Sequence, residues 1–199
     1  MDTLFFTEEH NMLIDLIADF AKSEIIPIAR EIDQTSRFPS EVISKLGDLG
    51  ILSIPVPKKY GGSGMDNVAY AAAIMELAKA DASIAITVAA HTSLGTMPIV
   101  LAGTEEQKKK YVPKLASGEI LGAFGLTEPE AGSDAGATKT TAEKKGNQYI
   151  VNGGKIFITN AGVASLLSFT AQIIEDGKNI GIGAFVIPTD INGLIISEP

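Results

Sequence analysis

Cysteine is absent from the 199 residues, and histidine occurs only at positions 10 and 91. Without thiols the chain cannot form disulfides, use a cysteine nucleophile or ligate an iron–sulfur cluster. Two histidines far apart in the sequence give little basis for a zinc site or a Ser/His/Asp triad. We therefore expect no metal centre and no triad chemistry.

Positive charge is also scarce, because 16 Lys and Arg are set against 24 Asp and Glu, for a net charge of −8 at pH 7. Such a field repels phosphate backbones, so we expect no nucleic-acid partner. With 45% hydrophobic and 20% charged residues, the composition is typical of a globular protein and unlike that of a disordered one. The first residues lack the basic and apolar regions of a secretory signal, which makes the cytoplasm the expected location.

Asp, Glu, Lys and Arg are all missing from residues 82–104, a stretch long enough to cross a bilayer. Serines, threonines, His91, Gly95 and Pro98 interrupt its apolar character, and no basic cluster flanks its N-terminal end. We therefore expect a helix that is buried on all sides, without membrane insertion.

Helical periodicity dominates the first 118 residues. Apolar residues spaced by three and four, together with capping signals, predict helices in this order: one from Glu8 that Pro27 limits or kinks, then others after Ser40, Asp66, Asp81 and the Thr104–Gln107 capping box. Gly118 is the expected stop of the last.

The hydrophobic period changes to two from Ile120 onward. Strands are predicted over residues 121–126, 138–144, 148–152, 155–159, 166–174 and 181–187. Hairpin turns are expected at residues 146–147, 152–154 and 176–177. The predicted fold is therefore α+β, with an all-helical N-terminal domain over residues 1–118 and an antiparallel β domain over residues 119–199.

Residues 124–136 lead from a predicted strand into a loop of small and hydroxyl-bearing residues. Gly132 and Gly136 would allow the main chain to approach a bulky anion, while successive N–H groups and the Ser133 hydroxyl donate to phosphate oxygens. The alternative is an ordinary turn in which Ser133 and Asp134 bond their own backbone. P-loop and Rossmann motifs are absent, and the residues alone leave both interpretations open.

The second notable segment is residues 154–160. On a strand, Phe157 and Thr159 would project from one face and offer an aromatic plate and a hydroxyl to a flat ligand, although a core position is the alternative for the phenyl ring. Glu128 and Glu130 are expected to be solvated and receive no catalytic role. His91 is expected to be a hydrogen-bonded core residue, and His10 a surface residue.

The two segments resemble the signatures of the acyl-CoA dehydrogenase flavoprotein family. Residues 124–134 are similar to its aromatic-x-Leu/Val-Thr/Ser-Glu-Pro-x-Ala-Gly-Ser-Asp signature, and residues 152–160 to its Asn-Gly-x-Lys-x-Trp/Phe-Ile-Thr-Asn signature. Both follow a helical region that holds Glu76-Leu77-Ala78 and residues 103–108, and the similarity runs from about Phe6 to the end. Phe157, where many members have Trp, resembles the short-chain or butyryl-CoA branch.

This resemblance implies FAD as the cofactor. The cofactor-binding residues that it implies are Phe124, Gly125, Leu126, Thr127, Gly132, Ser133, Phe157, Ile158 and Thr159. Among them, Gly132 and Ser133 would bind the pyrophosphate, Phe157 would pack against the flavin, and Ile158 and Thr159 would contact the edge that bears its reactive nitrogen. The implied substrate residues are Ser133, near the CoA carrier, and Thr87, Ala90 and Leu94, along the acyl chain.

The implied reaction is desaturation of an acyl-CoA thioester at the α,β position, with a hydride passing to flavin N5. In the family the base is a glutamate in a C-terminal helical bundle, which the resemblance places beyond Pro199, so no catalytic residue is assigned here. Expected partners are an acyl-CoA, an electron-transferring flavoprotein and further copies in a homotetramer. The alternatives are an acyl-CoA oxidase, a flavin monooxygenase-like relative, or a non-catalytic FAD- or CoA-binding module.

Overall fold

The computed structural model describes residues 6–197, and the chain divides into two compact units, residues 1–120 and 121–199. The first unit is helical and the second contains the sheet. The predicted α+β class is therefore confirmed. The predicted boundary after residue 118 precedes the observed division by two residues.

The helical unit is built on apolar helix faces that pack together. Its α-helices are α1 Glu8–Phe20, α2 Ile26–Thr35, α3 Ser40–Asp48, α4 Asn67–Ala80, α5 Ala82–Ala89, α6 Met97–Ala102 and α7 Glu105–Ser117. Fully buried side chains at its centre include Leu46, Leu52, Leu77, Ile84 and Leu115. Their burial supplies the main driving force for this unit.

The predicted caps are largely confirmed. Asp66 accepts a hydrogen bond from the Ala69 amide, and Thr104 forms a capping box with Gln107. The Ser40 cap is wrong, because Pro39 occupies the N-cap position of α3 and Ser40 is already helical. Because Pro39 takes the N-cap position, α3 begins one residue earlier than predicted.

Two π-helical turns carry the helical path past prolines. Ala21–Ile25 joins α1 to α2, and Ala90–Thr96 joins α5 to α6. Pro27 and Pro98 then lie in the first turn of the α-helix that follows, the position at which a helix best tolerates a residue without an N–H. The backbone therefore stays helical from Glu8 to Thr35 and from Ala82 to Ala102.

Residues 82–102 are, within the described part of the chain, the one helical stretch long and apolar enough to cross a membrane by length and composition, and half of that window is buried in the structure. The expectation of burial on all sides is wrong. Ile86, Leu94 and Leu101 are exposed, with Leu101 at 75%. Small residues and threonines occupy much of the buried face, so the absence of charge alone did not distinguish the two faces.

Within the described residues, a five-stranded sheet forms the second unit. Its strands are β1 Gly122–Gly125, β2 Thr141–Lys145, β3 Gln148–Asn152, β4 Leu166–Glu175 and β5 Lys178–Pro188. Along one edge of β4, β1 pairs with residues 166–169 and β2 with residues 172–174, while β5 covers the other edge. Strand β3 then lies outside β2.

The predicted antiparallel sheet is a mixed one. The β2–β3 and β4–β5 pairs are antiparallel hairpins, as expected, but β1 and β2 both run parallel to β4. The reason is the predicted strand over residues 155–159, which does not form. Residues 153–165 instead return the chain to the start of the sheet, so the expected hairpin turn at residues 152–154 is also wrong, and a long return of this kind permits a parallel pair.

Candidate functional site

The first signature segment is an excursion between two strands that lie end to end. Strand β1 ends at Gly125, β2 begins at Thr141, and residues 170–171 of β4 face the gap between them. The chain makes a tight turn at the start of this loop, because the Glu128 and Ala131 main chains bond each other at 3.0 and 3.2 Å. The two ends of the loop, Gly125 and Thr141, are both held in the sheet by their pairing with β4.

A buried carboxylate organises the interior of the loop. The Glu128 side chain is 4% exposed and accepts hydrogen bonds from the hydroxyls of Thr138 and Thr140, the latter at 2.6 Å. It also accepts from the main-chain amides of Lys139 at 2.6 Å and Thr140 at 3.1 Å. The carboxylate thus ties the outgoing arm of the loop to the returning arm.

The expectation that Glu128 is solvated is wrong, while Glu130 is exposed as expected. Burial by itself raises the pKa of the Glu128 carboxyl, but hydrogen bonds from Lys155, Thr138 and Thr140 hold that pKa well below its ordinary value. Glu128 is therefore a permanent anion at neutral pH.

The cation that matches Glu128 comes from the second signature segment. Lys155 Nζ lies 2.6 Å from Glu128 Oε1, and it donates as well to the Leu126 carbonyl at 3.0 Å and to Thr138 Oγ1 at 3.1 Å. Thr170 Oγ1 on β4 lies 3.4 Å away. The ammonium group therefore fills the gap that the departing loop leaves in the sheet.

Main-chain contact also joins the two segments. The Ile156 amide donates to the Thr127 carbonyl at 2.8 Å. Because three independent bonds now link residues 126–128 to residues 155–156, the two signature segments converge in space within the sheet unit. Their convergence does not depend on the regular strand pairing that the sequence pattern had indicated.

Phe157 is presented differently from the prediction. It does not alternate with Thr159 on a strand, because its φ of +58° places it in the left-handed region. Its side chain is 89% exposed. A bulky residue with positive φ is a strained conformation that clusters at ligand sites, and an exposed phenyl ring is unfavourable in water without a partner. The ring is thus available as an apolar plate.

The remaining residues of the first segment offer both apolar and polar surface. Phe124 and Thr127 are partly buried, and Leu126 is 39% exposed. Ser133 is exposed, and a Cβ built on Gly132 would meet no atom within 4 Å, so the main chain there is open to a ligand. In the second segment, Ile158 is partly buried and Thr159 exposed.

Gly125 has a packing reason for lacking a side chain. A Cβ at this position would lie 3.1 Å from Lys155 Cγ and 3.3 Å from Phe169 Cβ. The aliphatic stem of Lys155 therefore crosses directly over Gly125 on its way to Glu128. Gly125 therefore makes room for the Lys155 side chain, and its surface is covered by that side chain.

The predicted substrate residues of the helical unit lie in and just before the second π-helical turn. Ala90 is 4% exposed, Thr87 is partly buried, and Leu94 is 48% exposed. The expectation for the buried His91 is confirmed, since its Nε2 donates to the Leu115 carbonyl at 3.0 Å and burial lowers its pKa to about 4. His10 is not a surface residue as predicted, because it is 6% exposed and bonds Asp66 Oδ1 at 3.1 Å.

Two family models match the chain: the acyl-CoA dehydrogenase N-terminal domain over residues 7–119 and the acyl-CoA dehydrogenase middle domain over residues 123–199. The chain belongs to the acyl-CoA dehydrogenase family. The resemblance in the signature segments is thereby confirmed.

Curated relatives of this acyl-CoA dehydrogenase family member include a probable acyl-CoA dehydrogenase of Bacillus subtilis, 49% identical over 97% of the chain and 51% of the relative. A short-chain specific acyl-CoA dehydrogenase of Clostridium acetobutylicum is 44% identical over 96% of the chain and 51% of the relative. The chain spans about half the length of the curated relatives that it matches.

Solved structures of family relatives superpose closely. Butyryl-CoA dehydrogenase from Megasphaera elsdenii matches with a TM-score of 0.89 at 40% identity, over 97% of this chain and 51% of that one. Acyl-CoA dehydrogenase complexed with FAD from Bacillus anthracis matches with a TM-score of 0.87 at 40% identity, over 95% and 32%. A structure described as electron transferring flavoprotein of Acidaminococcus fermentans matches with a TM-score of 0.90 at 41% identity, over 96% and 50%.

Sequence reasoning missed Glu128 and Lys155 as a pair, although each lies inside one of the two signatures. The available signal was that Lys155 is the one charged residue of the second signature and lies among small and apolar residues, while the first signature offers Glu128, Glu130 and Asp134 as carboxylate partners. Isolated charges in such surroundings are buried only when they are paired.

Proposed function

We propose that the chain is part of an FAD-dependent acyl-CoA dehydrogenase, in which residues 124–134 and 155–159 form one wall of the flavin site. The observation that carries this proposal is the link between the two segments, with the Ile156 amide 2.8 Å from the Thr127 carbonyl and the Lys155–Glu128 pair beside it. FAD, when bound, accepts the hydride that leaves the β-carbon of the acyl-CoA.

The described residues fit such a cofactor. Leu126 and Phe157 expose apolar surface on the joined segments, which suits the flat face of an isoalloxazine ring. The open main chain at Gly132 and the exposed Ser133 hydroxyl suit a pyrophosphate, because amides and hydroxyls donate to its oxygens. Thr159 is also exposed and offers a further hydroxyl two residues after Phe157.

The substrate class follows from the same family membership. We propose a short acyl-CoA, with Ser133 near its CoA portion and Thr87, Ala90 and Leu94 along its acyl chain. Removal of the α-proton requires a carboxylate base, and Glu128 is unsuited to that role since its pKa is held low and five donors already occupy it. Within this chain the proposed work is binding, orientation and exclusion of water.

The likeness to the Acidaminococcus fermentans structure supports an electron-transferring flavoprotein as electron acceptor. A cytoplasmic homotetramer is the proposed assembly of the whole protein. Light scattering of the purified protein measures the assembly, and a monomer at micromolar concentration would contradict it.

The experiment is an anaerobic titration of the protein produced from the whole reading frame that contains this chain. We expect a yellow protein whose flavin absorbance bleaches when butyryl-CoA is added. Colourless protein that does not take up FAD would overturn the proposal. Rapid peroxide production on admission of air, without electron transfer to a flavoprotein, would instead indicate the oxidase alternative.

A further inference from the structure

The Glu128–Lys155 pair lies behind the proposed flavin wall, where its exposure is too low for direct contact with a large ligand. The side chain of Glu128 is 4% exposed and that of Lys155 is 9% exposed. A buried ion pair of this kind gives little net stability, because desolvation of both charges offsets most of their attraction. We therefore ask whether the pair orients neighbouring main-chain groups instead of adding stability.

Peptide geometry shows what Lys155 positions. The described residues contain no cis peptide bond, and in a planar trans peptide the C=O and the N–H point in opposite directions. Lys155 Nζ holds the Leu126 carbonyl at 3.0 Å, so the N–H of Thr127 in the same peptide points away from the buried pair. In the same way, the Ile156 amide that bonds Thr127 turns the Lys155 carbonyl outward.

Resting on the proposed function, we infer that Glu128 and Lys155 are positioning residues for the flavin. Glu128 fixes the ammonium group, the ammonium group fixes the 126–127 peptide, and that peptide presents one main-chain donor to the polar edge of the isoalloxazine. A donor held in this orientation stabilises negative charge on the reduced ring, so the pair acts on flavin affinity and potential through the main chain.

The test compares FAD binding and potential in the whole-frame protein and its variants. Lys155→Met keeps an unbranched apolar stem of similar shape but removes the ammonium group. We expect FAD affinity to fall by about tenfold, the value of one oriented hydrogen bond, and the flavin midpoint potential to become more negative. The matched control is Lys139→Met, since Lys139 is exposed in the same loop and reaches Glu128 only through its main-chain amide.

A double variant keeps the test informative if Lys155→Met alone fails to fold. Glu128→Gln combined with Lys155→Met removes both charges, so no uncompensated charge stays buried. If this folded variant shows the wild-type FAD affinity and potential, the positioning role is wrong. If it is weaker by about tenfold with a lower potential, while Lys139→Met stays within twofold of wild type, the role is supported.

Amide exchange in the wild-type protein gives an answer even if neither variant folds. We expect the Thr127 amide to exchange faster in FAD-free protein than in the FAD complex, and unchanged exchange would overturn the inference. A wild-type protein that binds no FAD at all contradicts the proposed function itself, which separates the two failures.

Discussion

The capping side chains of the helical unit and the buried carboxylate of the sheet unit bond partners at different distances along the sequence. In the helical unit the caps join residues three apart, as in Asp66 to Ala69 and Thr104 to Gln107. In the sheet unit Glu128 bonds partners that are 10, 12 and 27 residues away in sequence. The helical unit thus combines apolar packing and local caps with separate long-range bonds, such as His10 to Asp66 and His91 to the Leu115 carbonyl, whereas the sheet unit gathers its long-range bonds around one buried carboxylate.

The two units also bury different kinds of titratable group. His91 is fully buried as a neutral ring that donates a hydrogen bond to the Leu115 carbonyl. Glu128 is buried as a charge with a cation and several donors around it. The difference matters because the buried neutral histidine loses its contribution to stability as the pH falls from 6.5 towards 4, while the paired carboxylate keeps its contribution over that range.

The largest expected effect is on the sheet unit. Lys155→Met leaves Glu128 buried without its cation, so the free energy of unfolding of this unit should fall by about 3–5 kcal/mol. Chemical denaturation, followed by NMR signals of β2 and β4, measures the loss. The double variant Glu128→Gln/Lys155→Met should recover part of it, and equal losses in the single and double variants would contradict the unpaired Glu128 charge as the cause.

The next largest expected effect is a difference between the two units in the pH at which each loses stability. The pKa of His91 falls from about 6.5 in the unfolded chain to about 4 in the folded one, so its contribution is complete above pH 6.5 and is lost as the pH falls towards 4. The helical unit should lose about 3 kcal/mol over that window. The contribution of Glu128, whose pKa is lowered on folding, is lost only below about pH 4.5.

NMR spectra recorded between pH 7 and 4 check this order. Signals of the helical unit should weaken first, while those of the sheet unit persist. His91→Gln keeps a donor towards the Leu115 carbonyl and removes the titration, so it should flatten the pH dependence of the helical unit. An unchanged slope in that variant would exclude His91 as its cause.

Substitutions at two neighbouring glycines, Gly153 and Gly154, test the hydrogen bonds around Glu128 through a change in the backbone, and we expect a smaller effect. Gly153 has a φ of +150°, and a Cβ on it would lie 2.6 Å from the Thr140 Cα, whereas a Cβ on Gly154 would meet nothing within 4 Å. Gly153→Ala should therefore destabilise the sheet unit by about 2 kcal/mol through Thr140, a donor to Glu128. Gly154→Ala is the control, and similar melting temperatures for the two variants would contradict the argument.

The same contrast explains what the sequence could predict. Caps at Asp66 and Thr104, and the turns at residues 146–147 and 176–177, are local in sequence and were predicted correctly. The parallel pairing of β1 and β2 with β4 depends on residues 153–165, whose irregular course no local period reveals. Apolar alternation in residues 155–159 favoured a strand, but the tertiary bonds of Lys155 and Ile156 override it.

The candidate site divides in the same way. Its two segments were recognised by their signatures, and their meeting agrees with the resemblance. The buried pair between them was missed, because burial of Glu128 and Lys155 depends on partners brought together from five parts of the chain: residues 126, 128, 138–140, 155 and 170. The roles of the predicted site residues in binding stay predictions.

The smallest expected effect tests whether the helix caps of the helical unit act only locally. Thr104→Ala removes the hydroxyl that accepts from the Gln107 amide, so α7 should fray at its first turn and the helical unit should lose about 1 kcal/mol. Thr104→Ser keeps the hydroxyl and should match wild type. Amide exchange should then rise in the first turn of α7 and stay unchanged around His91, because Thr104 has no part in the buried helix contacts. If exchange rises throughout the unit, the caps are coupled to the core, and the contrast between local and assembled polar contacts does not hold.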